Sequence, residues 1–169
     1  MIVNVETKIK KVGLLLLIAA VVGTLVFIFI NSALPPEKSE EISNSVGNAV
    51  GNIVNTETPT GSFIQLNLRK IAHFTEYGLL GIELAAFVFL FVVGNKNKIK
   101  FALLFLCAPF AVGFIDESVQ LLSGRNASIK DVWIDVGGFM TFYALSVAVG
   151  ALAFWIIIKI KTVKQRNNA

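Results

Sequence analysis

The sequence predicts an all-α membrane protein, a polytopic bundle of four transmembrane helices with both termini cytoplasmic. Three observations predict it. The 169 residues are 55% hydrophobic with a mean hydropathy of +0.73, more apolar than a soluble domain of this length. The apolar residues fall into four runs, 12–30, 71–93, 101–122 and 132–158, each able to cross about 30 Å of hydrocarbon at about 1.5 Å per residue. The basic residues sit in blocks beside those runs. A four-span topology puts Lys8, Lys10 and Lys11, then Lys96, Lys98 and Lys100, then Lys159, Lys161, Lys164 and Arg166 on one side. These are 10 of the 15 Lys and Arg residues, so that side is expected to be cytoplasmic. Continuous runs of this length suit helices and exclude the alternating strands of a barrel.

A basic cytoplasmic segment, 1–11, precedes the first run. That run, 12–30, exceeds the roughly 7–15 apolar residues of a secretory signal and reads as a retained anchor helix. Residues 31–70 form a polar extracytoplasmic loop that starts at Pro35-Pro36, carries Glu37, Glu40, Glu41 and Glu57, and turns at Pro59-Thr60-Gly61. Ile42, Val46, Val50, Ile53 and Val54 recur there at helical spacing, which suggests an interfacial helix. Gly47, Gly51 and the asparagines favour a loose loop instead, and both readings stand. A three-helix core covers 71–158, in which Pro109 is expected to kink the third span. Residues 159–169 form a basic cytoplasmic tail. The net charge of +4 is spent on these topology blocks, so no nucleic-acid partner is expected. Cys107 is the single cysteine; it permits no internal disulfide and reads as an inert packing residue. Trp133 and Trp155 fit interface anchors on the fourth helix.

Ionisable residues inside apolar runs are the feature that needs a function, because each costs about 2.5–3.5 kcal/mol to insert at mid-bilayer. On the second span Arg69, His73, Glu76 and Glu83 project within an arc of about 80°, with Lys70 and Tyr77 on its flank. His73 and Glu76 are three residues apart and within reach of each other. On the third span Gly113, Asp116, Glu117 and Gln120 share a face of about 100°. On the fourth, Asp131, Asp135, Gly138 and Phe142 share another, and Gly137-Gly138 permits close helix approach. All but Glu83 lie near the outer helix ends, so three helices are expected to deliver carboxylates to one shallow outer-leaflet pocket. Glu83 lies deeper and calls for a single Lys or hydroxyl partner.

So many carboxylates cannot all remain charged in a dry pocket. Arg69, Lys70, Arg125, Lys130 and a protonated His73 neutralise them, or some acids hold protons, or a metal binds. Salt bridges that merely fix the bundle are the plainer reading of the same residues. One imidazole among dispersed acids is a weak metal signature, so neither a metal nor another cofactor is assigned. Ser118 and Thr75 lie within reach of these faces without a nucleophile-elbow pattern, and there is no Gly-rich phosphate loop. The sequon Asn126-Ala127-Ser128 is too short to carry weight.

At these residues the chain resembles the VanZ-like family of bacterial membrane proteins. The resemblance rests on Lys70-x-x-His73-x-x-Glu76-Tyr77 followed by Leu80-Gly81, on Asp116-Glu117-x-x-Gln120, and on Arg125 followed by Asp131 and Gly138. It covers about 70–140 of the chain. The family pattern usually carries asparagine near 135, so Asp135 is a departure that adds negative charge. The resemblance implies a link to low-level glycopeptide resistance, teicoplanin in particular, and supplies no defined biochemical activity.

The expected function is a multi-pass cell-membrane protein of the bacterial envelope whose polar site binds or acts on a lipid-linked or lipoglycopeptide-like molecule. In an enzyme, His73 and Glu76 would be the acid–base pair, with Asp116 and Glu117 aligning or activating water. Arg69 and Arg125 suit a phosphate or carboxylate, and Lys70, Tyr77, Gln120, Asp131 and Asp135 complete the binding set. The expected partner is a membrane lipid or lipid-linked envelope molecule, and a homo-oligomer is compatible with four spans. Two alternatives compete. A proton-coupled transporter would use Glu83 and Glu76 as relay groups, but the apolar stretches after Glu83 and before Gly113 offer no continuing path. A non-catalytic membrane subunit would use the polar cluster for assembly.

Overall fold

A computed structural model gives the structure over residues 2–51, 58–92 and 103–167. The elements are α1 (Ile2–Ala33), α2 (Pro36–Gly51), α3 (Pro59–Leu66), α4 (Leu68–Phe87), a π-helical turn (Val88–Val92), α5 (Ala108–Leu122) and α6 (Ile129–Asn167). The described residues contain no strand. Four segments are long and apolar enough to cross a membrane: Lys11–Ala33, Leu68–Leu90, Leu103–Leu122 and Ile129–Ile160. They coincide with the four runs read from the sequence. Glu57, Ile53, Val54, Lys96, Lys98 and Lys100 lie outside the described residues.

The two readings of the stretch after α1 resolve in favour of a helix. Pro36 supplies a φ already suited to a first helical residue, and the Ser39 N–H donates to the Pro35 carbonyl at 3.0 Å. Gly47, which weakens helix propensity, is buried because α2 rests on the start of α4. A Cβ there would stand 3.2 Å from Leu68 Cδ1. A second short helix, α3, is capped by the Thr58 hydroxyl, which accepts from the Gly61 N–H at 3.1 Å.

The bundle is built on the long pairing of α4 with α6, flanked by α1 and α5. Small residues let that pair approach closely, as in membrane interfaces generally. A Cβ on Gly81 would meet the Phe139 carbonyl oxygen at 2.5 Å, and one on Gly138 would collide with the Phe74 backbone. Gly78 lies under the Phe142 ring, and that ring meets Phe74 edge-on with centroids 6.1 Å apart. Ile28, Tyr77, Leu80, Leu84 and Phe139 form the buried core. Outward, Leu15, Leu16, Leu152 and Ile157 are exposed, as expected of a surface that faces acyl chains.

The third span breaks where the sequence suggested a kink, but the break lies just before Pro109. The Leu106 and Cys107 N–H groups donate three residues back, to Leu103 and Leu104. The α5 helix then starts at Ala108 with Pro109 in its first turn, where a missing N–H costs nothing. Cys107 sits exposed on this break, so it is a surface residue and not the packing residue the sequence suggested. The two tryptophans lie toward opposite ends of the fourth apolar stretch. Trp133 packs edge-on against Phe110, and Lys159 places its ammonium 4.3 Å from the Trp155 ring centre.

Candidate functional site

Local structure at the end of α5 fixes much of the site. Gly124 adopts φ +80°, a left-handed conformation that side chains disfavour. The Gly124 N–H returns to the Leu121 carbonyl at 3.2 Å and the Arg125 N–H to the Gln120 carbonyl at 3.0 Å. That bonding pair is a Schellman ending. It folds the chain back so that Arg125 is buried against α1, with Nη1 donating to the Asn31 carbonyl at 3.0 Å. Ser128 then starts α6, its hydroxyl accepting from the Lys130 N–H at 3.2 Å.

Beneath this turn three helices bring their acids together. His73 on α4 places Nδ1 3.2 Å from Asp135 Oδ1 on α6 and 3.7 Å from Asp116 Oδ2 on α5. Both aspartates are fully buried, while the His73 side chain keeps 14% exposure. Asp116 Oδ1 accepts a short hydrogen bond from the Ser32 hydroxyl of α1. Gln120, also fully buried, is the hub. Its amide nitrogen donates to Asp116 Oδ2 at 3.0 Å and to Glu117 Oε1 at 3.3 Å, and its oxygen accepts from Arg69 Nη2 at 2.5 Å. Arg69 therefore reaches the buried acids through an amide.

The remaining residues divide by what they touch. Glu76 is partly buried, accepts from Asn31 Nδ2 at 3.1 Å, and lines a cavity together with His73. Glu117 has both oxygens engaged, one by Gln120 and the other by the Ser128 N–H at 2.5 Å. Its geometry anchors the start of α6. Tyr77 is fully buried, and its hydroxyl has no hydrogen-bond partner; it backs the cluster and lines none of the described cavities. Lys70 and Asp131 sit with His73 around a side opening of about 170 Å³. Glu83 is outside the network: among the described residues its bond is with the Thr24 hydroxyl at 2.8 Å, the single hydroxyl partner the sequence called for.

The α1 helix supplies what the sequence reading did not assign to the site. Asn31, Ser32 and Thr24 each hold a carboxylate of another helix. Their spacing, seven and eight residues from Thr24, puts them on one side of a helix. That polar stripe in an otherwise apolar run is the signal that would have found them.

Two neighbouring cavities with shared lining residues lie at the edge of the cluster, where Arg69 and Arg125 line both. The inner one, about 130 Å³, is lined by the apolar Leu34, Ile42, Val46 and Ala72, by Ser39 and Ser43, and by Arg69, His73, Glu76 and Arg125. The outer one, about 530 Å³, lies between α2 and the α5–α6 turn and shares Arg69 and Arg125 with it. Burial, and next the charge of Arg69, pull the Arg125 pKa below its ordinary value, while Asp116, Glu117 and Asp131 oppose that pull. The guanidinium is still a cation at neutral pH. Neither arginine forms an ion pair with a carboxylate among the described residues.

The VanZ/LLP1 family description matches residues 14–159. The chain belongs to this family. The VanZ/LLP1 match takes in α1 as well as α4, α5 and α6, so it includes Asn31 and Ser32 along with the three motif blocks. No curated protein and no solved structure matches the chain. The family and the four apolar helices together make this a membrane protein.

Proposed function

We propose that this VanZ/LLP1 protein crosses the cell membrane several times, with both termini cytoplasmic, and binds or acts on an anionic amphiphile at the outer leaflet. One observation carries the reading. The inner cavity sets Leu34 and, on α2, Ile42 and Val46 beside two arginines, a histidine and a glutamate. A lipid-linked or lipoglycopeptide-like molecule matches that division, with acyl carbon along Ile42 and Val46 and a phosphate or carboxylate between Arg69 and Arg125. Charge-assisted bonds to the anion would also relieve the repulsion between the two guanidinium groups.

Within this site Glu76 and His73 are the groups that reach the cavity, so they are the acid–base pair of any reaction. Asp116 and Asp135 hold His73 in orientation, Gln120 couples them to Arg69, and Glu117 keeps the Arg125 turn in place. A contribution to teicoplanin resistance fits the same picture, since that class of drug carries a lipid tail. The transporter alternative gains nothing from the structure, because Glu83 is tied to Thr24 and no described bond joins it to the cluster.

The test is envelope lipid and cell-wall profiling of a deletion strain beside a strain producing Glu76→Gln at normal level. The same amphiphile should accumulate, or disappear, in both. A Glu76→Gln profile identical to wild type would remove Glu76 from any chemistry.

A further inference from the structure

We propose that His73, Asp116 and Asp135 form a site for one divalent first-row metal ion. His73, Asp116 and Asp135 each offer one ligand atom, and these atoms lie within 4.8 Å of one another. Donors about 2.1 Å from a shared ion stand roughly 3–4 Å apart, which brackets the 3.2 and 3.7 Å that separate His73 Nδ1 from the two carboxylates. The three donors come from three helices, so the ion would also join α4, α5 and α6.

A second, independent observation points to a ligand. Asp135 is fully buried; its Oδ1 meets His73, and its Oδ2, beside Gly113, has no hydrogen-bond partner. Orphaned buried carboxylate oxygens are costly and rare. The Tyr77 hydroxyl is buried and orphaned as well. Among the described residues the ion pairs of both aspartates are to His73 alone. Two buried carboxylates facing one imidazole lack charge balance, and a dication supplies it.

The donor set selects the ion class. One imidazole with two carboxylates suits Zn²⁺ or Mn²⁺ better than Mg²⁺ or Ca²⁺, which take oxygen ligands alone. Around the ligands, Gln120 and Ser32 hydrogen-bond Asp116, the orienting partners that metal carboxylates require. His73 also lines the inner cavity, together with Glu76. The proposal deepens the amphiphile reading by placing a dication beside the arginines, and its test separates the two.

The full-length protein, purified in lipid nanodiscs and stripped with a chelator, is titrated with Zn²⁺ and with Mn²⁺ by calorimetry, and bound metal is counted by mass spectrometry. One ion per chain is expected, with affinity reduced at least about tenfold in Asp135→Asn and in His73→Ala. Glu83→Gln, outside the cluster, should bind as wild type does. Asp135→Asn is nearly isosteric and keeps an acceptor toward His73, so it reports on the site even if His73→Ala does not fold. No saturable binding of either ion, or equal binding by wild type and Asp135→Asn, would overturn the metal site. Retention of an anionic phospholipid, measured in the same metal-free samples, distinguishes the two proposals. Lipid retained without metal binding leaves the amphiphile site standing and removes only the ion.

Discussion

At Asp135 one carboxylate oxygen meets the His73 ring at 3.2 Å and the other meets no donor. An asparagine there would bring an N–H₂ group to that second position and no charge, whereas the acid can carry a negative charge at this corner. The same accounting applies to Glu83, whose Oε1 is held by Thr24 while Oε2 is orphaned. Thr24→Val keeps the shape and removes the donor, which should cost about 1–3 kcal/mol and lower the unfolding midpoint in detergent. Thr24→Val combined with Glu83→Leu should recover most of that loss, because removing both partners is far cheaper than stranding one. Equal destabilisation by the single and double variants would show that the hydrogen bond is not what holds Glu83. At this scale the sequence revealed the acids readily, since each stands out in an apolar run. It did not reveal their α1 partners, because hydroxyls and amides cost far less than acids in an apolar run, and only their shared side of the helix marks them.

Among the elements, the pairing of α4 with α6 depends on which glycine meets backbone. The sequence singled out Gly137-Gly138 for close approach, without deciding between them. In the structure a Cβ on Gly138 would strike the Phe74 backbone, whereas one on Gly137 would rest 3.9 Å from the Phe74 ring. Gly138→Ala should therefore destabilise the bundle by about 1–3 kcal/mol, the range for overpacking, while Gly137→Ala stays near wild type. Thermal unfolding of the two variants side by side checks the pairing register, and the opposite order would place the wrong face of α6 against α4. Helix positions were legible because apolar length and period dominate in a membrane. The α2 helix and the break before Pro109 were less so. Gly47 lowers propensity yet fits closely where α2 rests on Leu68, and a proline signals an interruption without saying on which side the helix resumes.

For the molecule as a whole, the polar residues of four helices converge at one end, beneath α2 and the Gly124 turn. Helical periodicity gave α4, α5 and α6 their polar faces, and the shared depth of those faces suggested a common pocket; the polar side of α1 was not assigned. The amphipathic cavity itself was not readable, since its apolar lining combines Leu34 with residues of α2 and α4, whose approach to each other is a tertiary fact. The central claim is that this cavity holds an anionic amphiphile through Arg69 and Arg125. Native mass spectrometry of the protein released from mixed lipid nanodiscs tests it most directly, by comparing retention of phosphatidylglycerol with that of a zwitterionic lipid. Wild type should retain the anionic lipid preferentially. Arg69→Ala with Arg125→Ala should reduce that retention at least about tenfold, since each charge-assisted contact contributes about 1.5–3 kcal/mol. Retention that is indifferent to headgroup charge, or unchanged in the double variant, would contradict the account.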